Sequence, residues 1–289
     1  MSETSEYSEI TYSVVDRIAT VTLNRPEAHN GYTITMSDEL ADALDRADAD
    51  SDVRVVVLTG AGKDFSVGAD LSQGGFDFDA EQGPGEHWQE PAGRCSKRIF
   101  LMNKPVIAAI AGAAIGGGIT ITLSADYRLA STDARFGFVF VRRGIYPEGA
   151  SAWFLPRLVG LGTAMDWMIS GRVFDAEEAA GAGLVHRLHP RAELLDRAYE
   201  LAREIIDTTA PVSVAVTRQL LYRMSALDSP LPVHALDSKL IGGLTSNADS
   251  VEGVVSFLQK RPPEWTLRVP EDIPGYLPWA GENRHEEET

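Results

Sequence analysis

The chain has 289 residues, 44% of them hydrophobic, and a formal charge of −16 at pH 7. That length and composition suit one large domain, or a domain with an appendage, around a sizeable core. The charge disfavours nucleic acid and anionic membrane as partners. The single cysteine, Cys95, excludes an intrachain disulfide and a cysteine metal cluster.

The opening "MSETSEYSEI" has no basic and no apolar region of the secretory kind, so a cytoplasmic protein with a disordered start over 1–8 is expected. "ITYSVVDRIATVTLNRP" alternates apolar and polar residues around Asp16-Arg17, which predicts a hairpin. "MSDELADALDRADA" places Met36, Leu40, Leu44 and Ala47 on one helical face. Ser37 is its expected N-cap, with two acids in the first turn. "VRVVVLTG" reads as a buried strand. "DLSQGGFDFDAEQGPGEHWQEP" is rich in glycine and acid without a period, and predicts a mobile surface loop. A helix is expected around Arg94 to Met102, then the strand "PVIAAI". The uncharged stretch from Pro105 to Ala125 is long enough to span a bilayer. It contains four glycines and opens on a proline, so a buried strand, a glycine turn and a buried helix explain it better. From about Gly149 the chain turns helical, with predicted segments "GASAWFLPRLVG", "TAMDWMISG", "DAEEAAGAG", "RAELLDRAYELAREIID", "PVSVAVTRQLLYRM" and "DSVEGVVSFLQKR". The end is rich in proline and acid and reads as a tail. Strands alternate with helices first and helices dominate later, which is an α/β pattern with a helical C-terminal region.

Two glycine turns follow predicted buried strands: "GAGKDFSVGADL" and "AGAAIGGGITITLSAD". Gly116, Gly117 and Gly118 sit where a helix should begin. Helix N-termini leave amides unpaired and partly positive, and glycine lets a ligand approach them. Tight strand-to-helix packing is the other reading of the triplet. Neither turn carries the Gly-Lys-Ser/Thr of a phosphate loop or a helix-opening GxGxxG. A third feature is "GIYPEGASAWFLPRLVG", which is mostly apolar or small yet holds the carboxylate of Glu148.

"LNRPEAHN", "DFSVGADL", "NKPVIAAIAGAAIGGG" and "SADYRLAS" occur in that order, followed by "SGRVFDAEEAAGAGLVHRL" and "VEGVVSFLQKRPP". Together they resemble the crotonase superfamily, the enoyl-CoA hydratase/isomerase family, from Ile10 to Pro263. The resemblance implies a crotonase-like α/β fold of repeated ββα units over 9–205, a helical trimerisation region over 206–262, and a tail over 263–289. It implies a homotrimer or dimer of trimers and an acyl-CoA substrate, with no cofactor because coenzyme A is part of the substrate. It also implies an oxyanion hole from two backbone amides, here Ala69 and Gly117.

The family's hydratases carry two glutamates at positions that are Thr120 and Phe140 here, and neither can replace an acid. "PEGAS" instead resembles Δ3,Δ2-enoyl-CoA isomerases, whose glutamate at this place is the acid/base. That assigns acid/base work to Glu148, with Trp153, Phe154 and Phe140 as an apolar wall. The alternative for Glu148 is a first-turn charge on the next helix.

The substrate-binding positions implied by resemblance are Ala28 and His29, then Ser66, Gly68, Asp70 and Leu71, then Gly116 and Thr120, then Phe140 and Pro147. His29 faces the adenine or is a surface histidine. Asp70 binds, or caps its turn. Glu86, His87 and Glu90 supply a second acid/base from the loop or are solvated loop charges. Asp126 reads as a structural partner in the core. Phe257 and Lys260 would meet the coenzyme A phosphates, often of a neighbouring subunit. The leading expectation is double-bond isomerisation. The alternatives are a hydratase or dehydratase with a rebuilt acid pair, and a non-catalytic binding protein of the same fold.

Overall fold

The computed structural model describes residues 7–70, 88–244 and 247–280. Strands β1 (Ile10–Val15) and β2 (Ile18–Leu23) form the expected antiparallel hairpin, with Val15 opposite Ile18. Its turn residues Asp16 and Arg17 both have positive φ, the backbone hand that matches the twist of a two-residue hairpin. Helix α1 (Ile34–Ala49) buries Met36, Leu40, Ala43, Leu44 and Ala47. It begins earlier than the acidic run suggested. Thr33 is the cap, and its hydroxyl accepts from the Met36 amide at 2.9 Å. Ser37 is buried inside the helix and donates to the Pro91 carbonyl at 2.7 Å, and no acid stands in the first turn.

β2 runs parallel to β3 (Val55–Gly60), and β3 to β4 (Val106–Ile110). β4 pairs in parallel with β6 (Tyr127–Ser131), and β6 with β9 (Arg187–His189), closing a six-stranded sheet in the order β1-β2-β3-β4-β6-β9. β3 and β4 are apolar throughout because both faces are covered. Val56, Leu58, Ala108 and Ile110 face the main core with α1, whereas Val55, Val57, Ile107 and Ala109 face a second core with Leu194, Ala198 and Ala202 of α6 (Leu194–Thr208). Each Val, Leu or Ile among them, taken fully from water, contributes about 1.5–3 kcal/mol.

A smaller sheet, β5 (Ala113–Ile115), β7 (Arg135–Gly137) and β8 (Val173–Asp175), lies beside the first. Bridges extend its layer, Ser66 to Ala114 and Tyr32 to Ala69. The chain therefore repeats one pattern: a strand in the large sheet, a short strand in the small layer, then a helix. β3 leads through Ser66 to α2 (Pro91–Leu101), β4 through β5 to α3 (Gly117–Thr120), and β6 through β7 to α4 (Ser151–Ser170). This is the expected α/β fold of ββα units. The expected buried helix after the glycine triplet is the single turn α3. α4 spans two predicted helices, kinked at Gly160, whose φ of 77° and ψ of 155° are not helical.

α5 (Ala176–Gly181) precedes β9, and α7 (Pro211–Met224) follows α6. Arg218 anchors α7. It lies 2.9 Å from the Asp126 carboxylate and donates to the carbonyls of Ile99, Phe100 and Met102 at the end of α2. Asp126 also accepts from the Val106 amide at 2.7 Å, the structural part expected of it. α8 (Leu231–Gly242), absent from the predicted elements, buries no residue, and α9 (Ala248–Gln259) follows it. The described part of the proline-rich end packs back on α7, with Val269, Leu277 and Trp279 buried among Val212, Ala215 and Val216.

Candidate active site

The two glycine turns interlock. A β-carbon on Gly68, whose φ is +91°, would sit 2.7 Å from the Ile115 carbonyl oxygen. One on Gly118 would sit 2.3 Å from the Ser66 carbonyl oxygen. Larger residues at either position would drive the turns apart. The motif "NRPEAHNGY" braces this arrangement from outside. The buried Asn30 donates to the carbonyls of Ala61 and Asp64 at 2.9 and 2.7 Å, and Ser66 donates to the Asn30 carbonyl at 2.7 Å. Arg25 donates to the Gly31 carbonyl and to Asp70, at 2.6 and 2.9 Å. Asp70 is thus an ion-pair partner of Arg25.

Ala69 lies between these braces. Its bridge to Tyr32 uses the Gly68 carbonyl and the Asp70 amide, at 2.7 and 2.9 Å, and leaves the Ala69 amide out. Gly117 opens α3, where an amide has no intrahelical carbonyl to meet. Gly116, the residue before it, has φ 54° and bonds through its amide to the Gly137 carbonyl.

Glu148 comes to this point from the loop before α4. A β-carbon on Gly117 would lie 2.9 Å from Glu148 Oε1 and 3.8 Å from Ala92 Cβ in the first turn of α2. Three elements therefore converge: the starts of α2 and α3, and the Glu148 loop. Gly149 and Ala150 take positive φ in succession, 62° and 52°. The Ser151 amide and hydroxyl both donate to the Glu148 carbonyl, at 3.0 and 2.6 Å, and fix the turn. No described residue donates to the Glu148 carboxylate. Burial first, and the charge of Glu90 second, raise its pKa to about 7.

Glu90, expected as either a second acid/base or a solvated loop charge, stands beside Glu148. It is half-buried and caps α2, accepting from the Gly93 amide, and its other oxygen accepts from the Gly149 amide at 2.7 Å. Burial raises its pKa, and these amides and Arg94 oppose the rise. Tyr32, bridged to Ala69, borders the same region. It is buried, donates to Cys95 Sγ at 2.8 Å, and burial holds its phenol well above the ordinary value.

The other expected residues fall as follows. Thr120 is fully buried under the Glu148 loop, donating to the Gly117 carbonyl at 3.2 Å, and Phe140 is buried in the core. Ala28 is half-buried beside His29, which is tied through Nδ1 to Asp64 at 2.8 Å. Pro147 is exposed. Trp153 and Phe154 were expected as a wall for Glu148. They meet Phe100 edge to face, at 6.1 and 5.9 Å between ring centres, and line a groove of about 710 Å³ that also takes in Arg218 and Tyr222 but not Ala69, Gly117 or Glu148. Helix α4 turns them to the side of α7. Phe257 and Lys260 sit exposed at the end of α9, Phe257 at 80%. Leu71, Glu86 and His87 lie outside the described residues.

The chain is similar to known proteins over most of its length. Residues 14–268 match the model of the family described as enoyl-CoA hydratase/isomerase. The chain is 37% identical over 255 residues to an enoyl-CoA hydratase of Alternaria alternata, covering 86% of this chain and 83% of that one. It is 33% identical over 258 residues to a 1,2-epoxyphenylacetyl-CoA isomerase of Escherichia coli, covering 86% and 95%. A probable enoyl-CoA hydratase/isomerase from Mycobacterium abscessus superposes with a TM-score of 0.83 at 34% identity, over 89% of this chain and 98% of that one. Fold, turns and relatives lead to one conclusion: the chain belongs to the enoyl-CoA hydratase/isomerase family, and so to the crotonase superfamily of enzymes.

Proposed function

We propose that this enzyme acts on an acyl-CoA thioester and moves a carbon–carbon double bond, with Glu148 as the single acid/base. One observation carries the reading: the Glu148 carboxylate stands against Gly117, at the mouth of the two interlocked turns. A 3-enoyl thioester bound with its carbonyl oxygen toward the Ala69 and Gly117 amides would present C2 to that carboxylate. Glu148 takes the C2 proton, and the electron pair moves into the thioester to form a dienolate. The two amides hold the oxyanion, a kind of stabilisation worth about 10²–10³ in rate per donor. The protonated Glu148 then returns the proton at C4, and the double bond settles between C2 and C3. A carboxyl with a pKa of about 7 suits both halves of that cycle near neutrality. Thr120 and Phe140 offer no acid, which speaks against the hydratase pair at those positions. The relatives named as hydratases, and Glu90 beside Glu148, favour the second reading: water addition by a rebuilt pair.

We also assign the coenzyme A phosphates to Lys260, with Phe257 beside it, from a neighbouring subunit of a trimer or dimer of trimers. The test is turnover of 3-enoyl-CoA and of 2-enoyl-CoA by wild type and Glu148→Gln. Isomerisation should fall by several orders of magnitude in the variant while acyl-CoA affinity changes little. Rapid hydration of 2-enoyl-CoA without isomerisation would replace the first reading with the second.

A further inference from the structure

Two carboxylates share this site, and their surroundings differ sharply. Glu90 has both oxygens occupied by backbone amides, that of Gly93 in its own helix and that of Gly149 in the loop, 59 residues away in sequence. Glu148 has no donor among the described residues. Amide bonds stabilise an ionised carboxylate, and two neighbouring carboxylates resist ionising together. The charge therefore settles on Glu90, and Glu148 is the member that takes up the proton. The grip also matters mechanically. Gly149 takes its positive φ freely, but the left-handed Ala150 after it persists only when its surroundings determine it. The Glu90 bond reaches the amide of Gly149, the residue directly before Ala150. The remaining titratable or charged groups nearby do not compete. Burial keeps the Tyr32 phenol and the Cys95 thiol neutral, and Arg94, paired with Asp38, favours an ionised Glu90.

We propose that Glu90 is a positioning residue: from the cap of α2 it fixes the loop that carries Glu148 and, by holding the negative charge itself, leaves Glu148 as the proton carrier. This rests on Glu148 being the acid/base. Two substitutions separate charge from grip. Glu90→Gln keeps an oxygen for the Gly149 amide but removes the charge. Glu90→Asp keeps the charge and a good helix cap but is one methylene too short to hold both amides.

The direct readout needs no reaction. In protein labelled with ¹³C at the glutamate carboxyls, the Glu148 signal is identified by its loss in Glu148→Gln, and its titration midpoint is followed by NMR. In Glu90→Gln the midpoint should fall from near neutrality toward the ordinary carboxylate range, and the acid limb of the kcat profile should move the same way. In Glu90→Asp, kcat should fall roughly tenfold to a hundredfold with KM little changed, the size of effect that a displaced catalytic group produces. An unmoved Glu148 midpoint in Glu90→Gln overturns the role of the charge, and wild-type kcat in Glu90→Asp overturns the role of the grip. A wild type inert toward every 3-enoyl-CoA would remove the reaction reading instead, and the titration would still decide whether the pair is coupled.

Discussion

Burying the carboxyl of Glu148 stabilises its protonated form, and this has a measurable consequence for the fold. Its pKa is about 7 in the folded chain, against an ordinary carboxyl value near 4.3 when unfolded. Between those two values the folded state binds more protons than the unfolded state. Stability therefore falls as pH rises through that window, by at most about 1.4 kcal/mol per pH unit from this group, and the loss is complete above pH 7. Glu148→Gln cannot ionise and escapes the loss. Thermal melts of the two proteins should nearly coincide at pH 4 and separate by pH 8, with the variant the more stable. A gap that stays constant with pH would mean that Glu148 is solvated and not raised. Glu148 stands out in the sequence for its apolar neighbours and the lack of a base before Arg157, and its acid/base role is what the resemblance of "PEGAS" implies. The grip of Glu90 on the Gly149 amide does not stand out, because the two are remote in sequence and its neighbours, Gln89 and Pro91, look like loop. Asp70 and Arg25 were separated in the same way, by 45 positions that the fold closes to 2.9 Å.

At the scale of elements, unbroken apolar runs marked β3 and β4, which are covered on both faces, and periodicity succeeded for α1, which buries one. It failed for β5, β7, β8 and β9, each of only three residues, whose strand geometry comes from neighbours rather than from their own pattern. α8 was missed because its apolar residues do not share a face. The start of α1 was misplaced because Ser37 followed by acids resembles a cap, whereas Thr33 makes the capping bond. Thr33 also donates to the Glu9 carboxylate, so it ties α1 to the start of β1. Thr33→Ala should cost about 0.5–2 kcal/mol, the usual value of a lost cap. For a chain of this size that is roughly 1–3 °C in melting temperature. Urea or thermal melts check it. Should Thr33→Ala be neutral, the capping bond would be contributing nothing to the start of α1.

Among the described residues several helices leave large apolar side chains exposed, α8 and α9 among them. Leu231 and Ile241 of α8 are 72% and 66% exposed, and Val254, Phe257 and Leu258 of α9 are 60%, 80% and 71% exposed. Scattered surface apolar residues are ordinary, but a run of large ones along two consecutive helices marks a contact surface. A second copy of the chain is the partner that fits the reading above, since Phe257 and Lys260 then reach a neighbour's substrate. The charge of −16 works against any such association, because like-charged subunits repel at low ionic strength and are screened as salt rises. Two signatures should therefore appear together. Light scattering should give a mass that is a multiple of three times 31.3 kDa, and the assembly should tighten between low and physiological salt. Leu258→Asp places another negative charge in the apolar surface. It should shift the population toward smaller species while leaving the glycine turns intact, and the loss of Lys260 from its neighbour's site should appear as a raised KM for acyl-CoA rather than a lowered kcat. A clean monomer at micromolar concentration and physiological salt, still turning over with ordinary KM, would show that the coenzyme A phosphates are held within one chain and that Lys260 is a solvated surface charge.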